Sequence, residues 1–567
     1  MLAIEVTLLT GRYVATRSND RDRPEWPPHP ARLFSAMVSA YADREVPDGE
    51  ERLALEWFEA LGAPSICCTD APPTRALVTS FVPVNDATVL RDQRRLYERI
   101  IEAEGAVASL PADTPPKARE KAVAKLDKVL ARAVADTQRA TQAPETASAS
   151  VANKALELFP DHRGRQPRTY PTIVPRDERI WYVWSAVDAL PAHTAVLDGL
   201  LARVARLGHS SSMVSCRVAA EPPAPTFLPD DGGSEPIRVT APGLLSALEA
   251  EYAYHRGSEP RSLPAVVVPY RIASDDEHSP SSAAAPLLGE EWIVLRRSGK
   301  GSFSLRQSLD IARVVRKALI SHAPEPVHEI VSGHAPGRPG ERTAPTTSPH
   351  LAVVPLPNVG NQRADGRLLG IGLILPRDVS LDGRKAVQSA VRRWQETNNG
   401  LLRIGDVEVC RFEEVTDEAV PWGLQPGRWC RPTVEWASVT PIALDRHPGD
   451  LRSERRDRRT RAEEEARTAI VRACVYAGLP EPAEVEVRLD TPWRGVPPLR
   501  RFAPFRTGAG KGPLVRCSVH ARLWFDEPVR GPVLIGAGRF YGYGLFAPVP
   551  GRERSGGVRG ADRSVAS

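Results

Sequence analysis

Apolar positions along the chain recur with two periods that alternate in blocks. Residues 2–9 (LAIEVTLL) read as a strand. From Pro30 the spacing changes to three and four, placing Leu33, Phe34, Met37, Val38 and Tyr41 on one face of a helix. A second helical stretch covers 53–61, and strands are expected at 76–84 and 179–186. A helix over 194–207 carries Leu197, Leu200, Leu201, Val204 and Leu207 and stops at Gly208, before a strand at 213–218. With 86–165 set aside, the order is β-α-β-β-α-β.

That order returns twice. A strand at Trp292–Leu295 precedes Ser304 and Gln307, which have the spacing of a capping box. The helix they open is striped by Leu305, Leu309, Ala312, Val315 and Leu319. Strands at 351–356 and 368–375, a helix at 383–397 ended by Asn398-Asn399-Gly400, and a strand at 401–412 complete the pass. A third pass has a strand at 432–443, a basic helix near 460–478, and strands at 484–489, 514–525 and 532–547. The expected fold class is α+β, with about three tandem ferredoxin-like (RRM-like) modules. Residues 1–221 make the first, interrupted by a charged, Ala-rich helical hairpin and tether at about 86–150. A Pro- and Ser-rich connector follows at 222–286, with a helix at 244–254 and a strand at 265–269. Modules at 287–425 and 426–550 come next, and a basic tail at 551–567 reads as disordered.

Composition narrows the class. The 567 residues allow two to four domains, and the 42% hydrophobic content is that of a globular protein. No apolar run approaches the roughly 20 residues of a membrane span, and the start lacks a basic leader, so a cytoplasmic location is expected. The net charge of +5 is carried mainly by arginine, whose forked guanidinium suits phosphate. Biased genome composition explains an arginine excess equally well, so clusters matter more than totals. The seven cysteines (67, 68, 216, 410, 430, 474 and 517) contain no C-x-x-C pair. They are expected to be reduced and buried, with no zinc site, disulfide framework or cofactor.

Chemistry concentrates in the C-terminal half. Residues 531–546 hold Gly536, Gly538, Arg539, Tyr541, Gly542, Tyr543 and Gly544 after an apolar run. Glycines admit a phosphate close to backbone N–H groups, arginine neutralises it, and aromatic rings stack on unpaired bases. A glycine-rich hairpin closing a sheet is the alternative reading. Four of the twelve histidines, His322, His328, His334 and His350, share a 29-residue window. His334 sits in a Ser-Gly-His-Ala-Pro-Gly loop and His350 at a strand entrance, so both lead as proton-transfer candidates. His322, at a helix end, ranks third and can simply cap it, while His328 reads as a solvated loop residue. Lys300 is the lysine placed to stabilise a charged phosphorane. Arg455, Arg456, Arg458 and Arg459 open a helix and either grip RNA or form a solvated face with Glu463–Glu465. Arg500, Arg501 and Lys511, interleaved with Trp493, Phe502 and Phe505, form a further RNA-binding candidate. In the first module Arg12, Tyr13, Arg17, Arg32 and the Gly208-His209-Ser210 turn are candidates, and His29 between two prolines is a rival catalytic residue.

Several segments resemble a fusion from the CRISPR RAMP superfamily. They are Trp26-Pro-Pro-His29-Pro30-Ala-Arg32-Leu-Phe, Leu207-Gly-His209-Ser-Ser, Ser332-Gly-His334, Pro349-His350-Leu-Ala-Val-Val-Pro-Leu-Pro357 and the glycine loop. The N-terminal half is similar to the Cascade subunit that caps the 5′ handle of the guide RNA. The C-terminal half is similar to the repeat-cleaving endoribonuclease, a pairing of type I-G (formerly I-U) systems. The resemblance covers most of the chain outside 86–150 and the tail. It implies metal-independent cleavage of precursor CRISPR RNA, leaving 2′,3′-cyclic phosphate and 5′-hydroxyl ends. It also implies as partners repeat RNA, mature guide RNA, the backbone and large subunits of Cascade and, indirectly, target DNA. A non-catalytic RNA-binding scaffold and an unrelated ferredoxin-like assembly protein remain open beside it.

Overall fold

The computed structural model describes residues 1–17, 20, 23–46, 48–69, 79–83, 102–111, 114–142, 165–187, 191–255, 263–273, 286–298, 303–335, 345–404, 408–415, 420–507 and 514–549. Helix and sheet are mixed in it, as in an α+β protein. The chain divides into two compact units. The larger comprises residues 1–75, 172–254 and 260–567; the smaller comprises 76–171 and 255–259.

In the larger unit the strand Leu2–Leu8 lies at the interior of a seven-stranded sheet and is buried along nearly its whole length. It pairs antiparallel with Arg179–Trp184 on one side and Val214–Val218 on the other. Ser65–Cys67 follows beyond Arg179–Trp184. By chain order these four strands therefore lie 2-3-1-4 across the sheet. Helix Pro30–Ala42 buries Leu33, Phe34, Met37 and Tyr41. Val38 is only partly covered.

Two expectations change here. The strand predicted at 76–84 is observed at Thr79–Pro83, but it pairs with Arg165–Thr169 in the smaller unit. Its expected place in the sheet belongs to Ser65–Cys67, a segment too short for alternation to be seen in the sequence. Residues 222–286 are more than a connector. Phe227–Pro229, Glu235–Val239 and Val266–Ile272 extend the first sheet. Helix Leu244–Tyr254 buries Leu244, Leu245 and Leu248. Arg392 on a later helix pairs with its Glu251, so proline content here marks turns between strands rather than slack.

The second sheet runs Ala352–Pro357, Leu368–Pro376, Leu288–Ser298, Glu408–Glu414 and Leu401–Ile404, all antiparallel. Its first four strands repeat the 2-3-1-4 order, and the predicted strand at 401–412 is a hairpin of two. Both halves of the capping box at Ser304 and Gln307 form, opening a 3-10 turn that leads into helix Ser308–His322. Helix Leu381–Asn398 ends at Asn399 in the left-handed region (φ 53°).

The third sheet again gives 2-3-1-4, from Glu484–Arg488, Ser518–Val529, Thr433–Ser438 and Phe546–Pro548. Helix Arg456–Tyr476 covers it. No long strand spans 532–547. Positive φ at Gly536, Gly542 and Gly544 breaks the extended backbone, leaving a loop with one 3-10 turn at Arg539–Tyr541. Tyr543 and Leu545 from this loop belong to the same core as the second sheet.

In the smaller unit residues 102–108 are helical, as is Pro116–Gln142, within the stretch expected to form a helical hairpin. The tether expected before residue 150 and the basic tail after 551 lie outside the described residues. Among the described residues no helix is long and apolar enough to cross a membrane. Six cysteines are buried and Cys517 is partly so; all seven are free thiols.

Candidate functional site

Two of the sequence candidates meet: the loop bearing His350 and the glycine loop. Helix Ser308–His322 is followed by a single helical turn, Glu329–Ser332, whose N-cap is His328. The His328 ring accepts from the Ile330 N–H, so it shapes the loop rather than facing solvent freely. Gly333 ends the turn with φ +72°, and a Cβ built on it would lie 2.9 Å from His350 Nε2. A glycine is required there both for the backbone and for the approach of the imidazole.

His350 stacks on Phe540 of the glycine loop, with ring centroids 3.8 Å apart and planes 29° apart. Its Nδ1 lies 3.3 Å from the Ser348 carbonyl, which makes Nδ1 the donor and leaves Nε2 without a proton in the neutral ring. Burial is the main reason its pKa falls to about 4; the charges of Arg316, Arg539 and His334 push the same way, and the Ser348 bond opposes them. The ring is therefore neutral at physiological pH.

Arg316 holds the two loops together. It is 5% exposed and donates to the carbonyls of Val331 and Phe540, both at 3.2 Å, and to Leu351. Its guanidinium also lies 5.0 Å from the Tyr541 ring centroid. The sequence reading passed over it, yet the signal existed. Leu309, Ala312, Arg316 and Leu319 fall on one helical face, so an arginine occupies the buried stripe.

The glycine loop itself serves packing. A Cβ on Gly542 would meet Pro355 Cδ at 2.5 Å and the Val353 carbonyl at 3.1 Å. Gly536 approaches Ala443, and Gly538 sits against Tyr543 and Phe505. The N–H groups of Arg539, Tyr541, Tyr543 and Gly544 bond to carbonyls of Gly536, Gly538, Gly538 and Pro441. Tyr543 is a core residue whose hydroxyl donates to the Ala503 carbonyl at 2.6 Å. The loop so presents Arg539, Phe540 and Tyr541, each partly exposed, rather than a bare cradle of N–H groups.

His334 lies near enough for its charge to act on His350, and the remaining candidates separate. His334 is exposed and its Nδ1 donates to the Ser332 carbonyl at 3.1 Å. His322 turns back onto its own helix end, donating to Ala318 O at 2.7 Å. Lys300 and Lys511 lie outside the described residues. Arg455, Arg456, Arg458 and Arg459 are exposed on the start of helix Arg456–Tyr476; Arg455 reaches Asp457 and Arg459 reaches Glu463. Arg500 and Arg501 are exposed, but Phe502 and Phe505 after them are core residues unavailable for stacking. Trp493 is partly covered and donates to the Ala437 carbonyl.

In the first module Arg12 is exposed. Tyr13 is fully buried and donates to Glu25 at 2.7 Å, while Arg32 holds the same carboxylate with two bonds of 2.8 and 2.6 Å. Burial alone would raise the Glu25 pKa; Arg32 and His29 override it and hold it well below the usual range. His29, 3.4 Å from Glu25, is pulled to about 4 by burial, so this cluster is an ion-pair core. Arg17 pairs with Glu235. The Gly208-His209 turn packs under Val14, and the His209 ring bonds Ser211. Among the described residues no three or more His, Cys, Asp or Glu side chains gather so as to hold a metal ion.

Comparison with protein families gives a match to the model described as CRISPR-associated protein, GSU0054 family, over residues 8–91 and 160–548. The match covers most of the chain, which belongs to that family. No curated protein matches it.

Proposed function

From this membership of a CRISPR-associated family, we propose that the protein is a metal-independent endoribonuclease. It cuts precursor CRISPR RNA within the repeat and stays bound as a subunit of a type I surveillance complex. The observation that carries the reading is the stack of His350 on Phe540, with Arg316 and Arg539 beside it. A neutral imidazole with an unprotonated Nε2 can take the proton from a ribose 2′-OH. The 2′-oxygen then attacks the adjacent phosphorus, the bond to the 5′-oxygen breaks, and an acid returns a proton to that oxygen. His334, exposed on the same loop, is the candidate acid. Arg539 is placed to neutralise the phosphorane. The products are a 2′,3′-cyclic phosphate and a 5′-hydroxyl.

The recurring 2-3-1-4 strand order supports three tandem ferredoxin-like modules, the first of them holding the guide 5′ handle. The exposed arginines 455, 456, 458 and 459 supply a surface for the repeat stem. A non-catalytic scaffold of the same complex is the second reading, favoured by how fully the glycine-loop N–H groups are used inside the protein. Purified protein incubated with labelled repeat RNA in EDTA separates them. Cleavage inside the repeat is the expected result; a stable complex with intact RNA assigns the scaffold role, and no binding removes both.

A further inference from the structure

Away from the two loops, Arg428 in the helical turn Pro426–Cys430 is 4% exposed, and among the described residues no carboxylate pairs with it. Its Nη2 donates to the Val359 carbonyl at 2.6 Å, and its Nη1 is buried without a hydrogen-bond acceptor. Burial lowers its pKa to about 10, so it keeps its charge at neutral pH. Such a charge is costly unless something faces it. Two indoles do: the guanidinium lies 3.9 Å from the Trp422 ring centroid and 4.6 Å from that of Trp429. Trp429 is fully buried, whereas Trp422 is 47% exposed. With the guanidinium over one face of Trp422, that exposure belongs to the other face and the ring edge.

The surroundings are cationic. Gly360 lies against the same guanidinium, since a Cβ built on it would be 3.2 Å from Arg428 Nη2. Its N–H donates to the Arg494 carbonyl at 3.1 Å. The hairpin joining Ala352–Pro357 to Leu368–Pro376 therefore meets the turn at 493–496 beside Trp422. Arg363 on the hairpin and Arg494 on the turn are exposed, and among the described residues neither has a carboxylate partner. Asp365, the carboxylate of the hairpin, is taken by Arg367 and the Asn358 amide. Asp490, before the turn, is taken by Arg488.

We propose that Trp422 stacks one unpaired base of a bound RNA strand, while Arg363 and Arg494 hold the neighbouring phosphates. An indole with an open face takes any base, and guanidiniums without an internal partner match a polyanion better than a protein segment. Strand Ala352–Pro357 leads from His350 to this hairpin, about 20 Å at roughly 3.3 Å per residue, so one RNA strand can reach both. The inference rests on the reading that RNA is the ligand, and adds an anchor for nucleotides flanking the cut.

The test uses the full chain and an oligouridine carrying 5-iodouridine, with cross-linked peptides mapped by mass spectrometry. The parent protein should cross-link at Trp422. W422A should weaken oligouridine binding about tenfold, and W422F should recover most of the loss. The double variant R363Q/R494Q changes two exposed side chains, so its melting temperature should hold. Its slope of log affinity against log salt should become shallower by about 1.4, at roughly 0.7 per phosphate contact on a single strand. Cross-links that miss Trp422, an affinity untouched by W422A, or an unchanged salt slope each overturn the proposal. The cross-link is read on the parent, so a variant that misfolds does not decide the outcome. Repeat RNA scored for cleavage in EDTA keeps the two readings apart: cross-linking at Trp422 without cleavage removes the nuclease alone, and cleavage without that cross-link removes this site alone.

Discussion

His350 meets its surroundings through an aromatic face and two guanidiniums, and among the described residues no carboxylate raises its proton affinity. A base with a pKa of about 4 is already deprotonated across the neutral range. On the acid side, single-turnover cleavage should therefore show no loss near the ordinary histidine range and fall only as the pH nears that value. An acid limb centred near the ordinary histidine value of about 6.5 would move the proton acceptor to a different histidine. Much of this site was legible from residue type. Gly333 beside His334 marked a forced loop, and Pro349-His350 marked a strand entrance. What the sequence hid was which loop the histidines would face. The Phe540 contact spans 190 residues of chain, and no local pattern encodes it.

At the level of elements, the turn ending at Gly333 and the glycine loop behave as two halves of one clasp, pinned by Arg316. Gly333→Ala meets two penalties at once. The left-handed backbone costs about 1–2 kcal/mol with a Cβ, and that Cβ would push on the imidazole. Cleavage should drop at least tenfold while RNA binding in a gel-shift titration stays within about twofold; full activity would show that His350 need not sit there. Helices and long strands were readable because their apolar stripes are complete, as with Leu305–Leu319 and Leu368–Leu375. Ser65–Cys67 was not, being three residues long, and 532–547 was misread because its apolar run precedes glycines that turn the chain. Phe502 and Phe505 look like stacking aromatics in sequence, and only packing assigns them to the core.

Across the whole molecule, three histidines in separate places share one electrostatic character. His29, His350 and His520 are each pulled to about 4 chiefly by burial. Unfolded, they take up protons near 6.5, so between about 6.5 and 4 the unfolded chain binds more protons and stability falls as pH falls. His520, 1% exposed and bonded to Ser438, sets an upper value of about 3 kcal/mol for one such group. Chemical denaturation midpoints should decline from pH 7 to 4.5; a midpoint that holds or rises would refute this account. Buried charge pairs also tie the modules of the larger unit: Arg384 and Arg238 share Glu291, and Arg392 holds Glu251. The sequence marked the region between the first two modules as a connector, because proline and serine content reports turns and says nothing about which sheet the intervening strands join.

The most direct test is the single-turnover rate on repeat RNA in EDTA for the parent protein, His350→Ala and His334→Ala, with RNA affinity measured alongside. Loss of at least about a hundredfold in rate for His350→Ala, at unchanged affinity and with cyclic-phosphate ends on the parent's product, is the predicted result. Parental rates in both variants would contradict the assignment of this site.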